Sequence, residues 1–106
     1  MSLSTSPSNV LNTLARSLVA KQAYPSVEEA LRELALTAVR SKIAYYQRRI
    51  RSMERKHGTS FDKFSLRLKG RATPAQEDDW LAWRSAQRML ADWHNTYRDL
   101  LNGGAR

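Results

Sequence analysis

The sequence predicts an all-α protein of four helices, two of them long, and three observations carry that prediction. Apolar residues recur at three- and four-residue spacing through most of the chain. Capping signals stand at the head of two such stretches, Ser26-Val27-Glu28-Glu29 and Thr73-Pro74-Ala75-Gln76. No convincing stretch alternates apolar and polar residues as a half-buried strand does. At 106 residues, with 42% hydrophobic and 26% charged, the chain can build one small core. The expected layout is a single helical domain over 9–101, with flexible ends at 1–8 and 102–106.

The elements follow in order. Ser2 to Pro7 is a polar, Ser-rich lead. Ser8 or Asn9 can cap a first helix carrying Leu11, Leu14 and Leu18 at helical spacing. Ala23-Tyr24-Pro25 ends it, because the residue before a proline is pushed out of the helical region. In the second helix Ser26 caps, Glu29 completes the box, and Glu28 and Glu29 suit the positive end of the helix dipole. No Pro or Gly interrupts the run to His57, and Gly58 supplies a left-handed stop. At 1.5 Å per residue this helix is roughly 48 Å long, more than such a small domain spans, which points to pairing. We therefore expect an intertwined helical homodimer.

The stripe on that helix changes character midway. Residues 27–39 are rich in Ala and Leu; beyond them Val39, Ile43, Tyr46, Ile50 and Met53 step by four and three as a heptad-like seam. A short third helix fits Ser60 to Lys69, with Phe61, Phe64 and Leu68 on one face and Gly70 closing it. Thr73 and Gln76 box the start of the last helix, with Pro74 at its favoured first position. Trp83, Ala86, Leu90, Trp93, His94, Tyr97 and Leu101 form its main stripe, down to Asn102-Gly103-Gly104. The narrower stripe of Ala82, Ser85 and Met89 can accept another helix.

Signs of catalysis are missing. The chain has no cysteine, so disulfides, thiolate nucleophiles and Cys-bound zinc are excluded. His57 and His94 are far in sequence from an obvious carboxylate partner and make no metal-ligand spacing. His94 reads as a core-edge residue, and His57 as a group that meets the last carbonyls of its helix. Glu77-Asp78-Asp79 point about 100° apart and cannot converge on one cation, so they read as dipole-compensating residues. There is no Gly-rich phosphate loop and no specific Ser-His-Asp set. We expect no enzyme, no cofactor, no metal site and no small-molecule substrate. Trp83, Trp93 and Tyr97 read as core, and Trp80, in the acidic first turn, as the least certain of the aromatics.

Charge carries the clearest functional signal. Arg40 to Arg71 holds 11 of the 18 Lys and Arg against two acids, Glu54 and Asp62, a net 11 − 2 = +9; the remainder sums to 8 − 9 = −1. On a wheel of 100° per residue Arg40, Arg48, Arg51 and Arg55 lie off the seam, as do Arg49 and Lys56. A solvated helix face mixes signs, whereas this one has almost no acids, which points to an anionic macromolecule. Met1 to Asn9 shows no signal peptide, and no apolar run can span a bilayer. A cytoplasmic protein without membrane contact is expected.

Ser8 to Val39 resembles the helix pair of a ribbon-helix-helix protein, in which a Gly-Tyr-Ser-type turn precedes a capped second helix. The matching residues are Ala23-Tyr24-Pro25 and Ser26-Val27-Glu28-Glu29-Ala30-Leu31-Arg32-Glu33-Leu34-Ala35. Lys56-His57-Gly58-Thr59-Ser60-Phe61-Asp62-Lys63-Phe64 is similar to a Lys-Tyr-Gly-Met-Ser-Phe-Glu-Glu-Phe motif of small prokaryotic accessory proteins that partner toxins. The resemblance implies an antitoxin-like, non-catalytic module that dimerises and binds a toxin-type protein. On that reading Phe61, Phe64 and Trp80 anchor the partner while Arg48, Arg49, Arg51 and Arg55 steer it. The alternative is a nucleic-acid-binding regulator using Arg40, Arg48, Arg49, Arg51, Arg55 and Lys56. The family's DNA-reading strand has no counterpart, since Met1 to Asn9 lacks Lys and Arg, contains Pro7 and does not alternate. No DNA-contacting residue is carried over.

Overall fold

The structure, a computed structural model, describes residues 7–21 and 23–103. They form α1 (Pro7–Ala20), α2 (Val27–His57), α3 (Phe61–Leu68) and α4 (Pro74–Leu101), with no strand among the described residues. The four-helix reading therefore stands.

Helix ends follow local chemistry. α1 begins at Pro7, ahead of the expected caps Ser8 and Asn9, because a proline at the first helical position gives up an N–H that has no helical partner anyway. Most of the segment expected to be a flexible N-terminus, 1–6, lies outside the described residues, as do 104–106. Ser26 Oγ accepts from Glu29 N–H at 3.1 Å at the start of α2. Gly58 ends that helix at φ 64°, its N–H bonded to the Glu54 carbonyl at 2.8 Å. Ser60 caps α3 through the Lys63 N–H. Both halves of the Thr73–Gln76 box are formed, at 3.2 and 2.9 Å.

The chain groups into two compact units, Met1–Ala38 and Val39–Arg106, where the sequence predicts one domain. The division falls inside α2, at the residue where its Ala- and Leu-rich stripe gives way to the heptad seam. In the first unit the enclosed side chains are Ala15, Ala30 and Leu36. Several larger apolar side chains of α1 are left outside. Leu11 and Leu14, which follow at helical spacing on α1, are 45% and 48% exposed, beside Val10 at 47%.

The second unit holds its core on aromatic rings. Val39, Phe64, Trp83 and Ala86 are buried, and the seam residues Ile43, Tyr46, Ile50 and Met53 are half-buried. α2 and α4 run antiparallel: Arg40 lies over the Tyr97 ring at 5.8 Å, while His57 stacks against Trp83 at 5.9 Å near the other end. α3 closes the unit through Phe64, whose ring is 5.4 Å from Trp83 and 4.1 Å from His57. On the α4 stripe Leu90, Trp93 and Tyr97 are half-buried, but His94 is exposed rather than at the edge of the core. One position off the 83–86–90–93–97 line turns its ring about 100° outward.

Candidate functional site

The basic face of α2 is built by helical spacing. Arg48, Arg51 and Arg55 follow one another at three and four residues, and Lys42, Arg49 and Lys56 at seven, so they form two rows. Taking Ile43 as zero, the first row falls at about 80–140° and the second at about −100 to −140°, with Ser52 and Tyr45 between them. Glu54, the one acid of α2 between Lys42 and Lys56, lies at about 20°, on the seam side, so no acid interrupts the face over that stretch. All six cations are exposed. Among the described residues no carboxylate pairs with Arg48, Arg51 or Arg55.

The other three members expected to bind, Arg40, Arg49 and Lys56, are engaged. Arg40 lies toward Tyr97 of α4, and Lys56, 62% exposed at its side chain, pairs with Asp79 at 2.8 Å. Tyr45 is 45% exposed; the Tyr46 ring meets it edge-on at 4.9 Å and the Arg49 guanidinium lies 5.8 Å from its centroid. A hollow of about 180 Å³ opens there, lined by Tyr45, Arg48, Arg49, Ser52 and Met53.

The expected protein anchors are brought together, but into the fold. Phe64 is 2% exposed between His57 and Trp83, which corrects its assignment as a partner anchor: a ring with no free surface has none to offer. Phe61 stacks on Trp80 at 5.7 Å and meets Trp83 at 5.4 Å. Trp80 donates its Nε1–H to Ser65 Oγ at 2.8 Å, Ser65 donates to the Phe61 carbonyl at 2.9 Å, and Arg84 covers the indole at 5.4 Å. Both rings are half-buried. Beside them Leu66 and Leu81 are 72% and 55% exposed, and a groove of about 520 Å³ runs along Ser65, Leu68, Trp80 and Leu81 with Lys69, Glu77 and Asp78 at its rim.

One polar group was missed in the sequence. His57 Nε2 and Asp79 Oδ2 are 2.8 Å apart, with side chains 14% and 19% exposed, and the imidazole is enclosed by Phe64 and Trp83. This corrects two expectations, that His57 serves its own helix end and that Asp79 only offsets the α4 dipole. The signal was present: His57 stands four residues beyond Met53 on the α2 seam, and Asp79 four before Trp83 on the α4 stripe. Each apolar stripe thus ends in a polar group, and the antiparallel packing joins them. The Lys56 ammonium, and with it the His57 ring, holds the Asp79 carboxyl below its ordinary value, against the opposing effect of burial. Packed against the Phe64 and Trp83 rings, the pair ties the C-terminal end of α2 to the first turns of α4.

Among the described residues no three His, Asp or Glu side chains gather as a metal site, and no helix is long and apolar enough to cross a membrane. No protein-family model, no curated protein and no solved structure matches the chain.

Proposed function

We infer that this is a non-catalytic binding protein whose α2 face engages nucleic acid through the phosphate backbone. One observation carries the reading: Arg48, Arg51 and Arg55 form an exposed row with no carboxylate partner among the described residues, on a helix face that no acid interrupts between Lys42 and Lys56. Unpaired guanidinium groups repel one another, and a polyanion relieves that repulsion while releasing its own counterions. Fluorescence anisotropy with labelled oligonucleotides at low ionic strength tests it. The wild type binds, and replacing Arg48, Arg51 and Arg55 together by Gln weakens binding at least tenfold. Equal affinity of the two proteins refutes the assignment of the face.

A second reading, an antitoxin-like module that dimerises and binds a partner protein, draws support from a different observation. The exposed Leu66 and Leu81 beside the α3–α4 groove, and Val10, Leu11 and Leu14 on α1, are apolar surfaces of the kind that partners cover. The internal engagement of Phe61, Phe64 and Trp80 moves that surface away from the anchors the sequence suggested. Light scattering tests self-association, and Leu66→Ser with Leu81→Ser tests partner capture.

A further inference from the structure

We propose that the hollow beside Tyr45 is a stacking site for a base of single-stranded nucleic acid. The inference rests on the nucleic-acid reading and narrows it to one form of polymer. Tyr45 is the only aromatic side chain on the cationic face of α2, lies between its two rows, and leaves nearly half of its surface open. Met53 supplies an apolar floor, Ser52 a hydroxyl that can meet a base edge, and the Arg48 and Arg49 guanidinium groups stand where flanking phosphates would run. The Arg49 guanidinium covers the Tyr45 ring at 5.8 Å from its centroid, a cation–π contact, and its long flexible side chain can swing outward to admit a base. A base seated between them gains the phenol on one face and the planar cation on the other.

A duplex fits this arrangement poorly. Its bases are already stacked on one another, so a phenol facing it meets sugar and phosphate and gains no ring contact. A single strand presents π-faces that any aromatic platform can take, while its phosphates follow a basic track. Two cationic rows with one aromatic between them match that division of labour. The occupant is thus chosen by charge complementarity together with the aromatic's position.

Anisotropy with a labelled single-stranded RNA of mixed sequence, and with a DNA duplex of the same length, decides the matter. Tyr45→Ala is expected to weaken single-strand binding about tenfold, the size of losing one stacked base. Tyr45→Phe retains it. Duplex affinity is lower and indifferent to both substitutions. Single-strand binding that Tyr45→Ala leaves unchanged overturns the stacking site while leaving the basic face as a phosphate contact. Failure of the wild type to bind either polymer at low salt overturns both. Tyr45 is exposed, so far-ultraviolet circular dichroism of Tyr45→Ala should match the wild type and remove misfolding as an explanation.

Discussion

Trp83 and Asp79 show how different two residues four positions apart on one helix can be. Trp83 has no exposed surface and packs on His57, Phe61 and Phe64. Trp83→Ala should cost about 3–5 kcal/mol, most of what a domain this small possesses, and show as loss of a cooperative thermal transition. Its Nε1–H has no acceptor among the described residues, so Trp83→Phe sacrifices packing but no hydrogen bond to them. Asp79 contributes through charge. Because Lys56 and His57 depress its folded pKa, its stabilisation is complete above the unfolded value near 4 and disappears as pH falls through the depressed one. Asp79→Ala should therefore destabilise by about 1–2 kcal/mol at neutral pH, measured by urea unfolding. Most of that loss belongs to the enclosed His57 contact, since the Lys56 side chain is largely in water. The gap between the two proteins should begin to narrow below about pH 4 and close as pH falls through the depressed folded value. A gap unchanged down to pH 2 means that Asp79 acts by packing alone.

At the scale of the element, the helix ends were the most legible feature of the sequence. Ser26, Gly58, Ser60, Thr73 and Gln76 do what their types dictate, because capping is decided within a few residues of backbone. Gly58→Ala should cost about 1 kcal/mol and lower the melting temperature by several degrees. An added Cβ there meets no atom within 4 Å, so the whole penalty is left-handed backbone strain. Thr73→Ala should cost about as much by breaking the box. What spacing alone could not reveal was which apolar residues find cover. Leu11 and Leu14 have the periodicity of a core face and are half-exposed, whereas Ala15 is enclosed. Phe64 and Phe61 share one face of α3 and differ in depth. Burial depends on which helix lies opposite, and that is set by residues far away in the chain. The same holds for the pairing of His57 with Asp79, 22 residues apart, whose positions on their stripes were readable but whose meeting was not.

For the whole molecule, the distribution of charge was readable in full from composition, and the structure adds its consequence: among the described residues no carboxylate pairs with Arg48, Arg51 or Arg55. Val10, Leu11 and Leu14 are the second feature at this scale. Replacing all three by Ser should shift a self-associated wild type toward monomer in sedimentation experiments without loss of helix content; a monomeric wild type contradicts that role. The central claim, that the α2 face meets a polyanion, is tested most directly by the salt dependence of oligonucleotide affinity. If about six cations contact phosphates, log K should fall with log salt at a slope near −4 on a single strand. The variant with Gln at 48, 51 and 55 should show a slope near −2. Identical slopes for the two proteins, or affinity that salt does not change, would contradict the account.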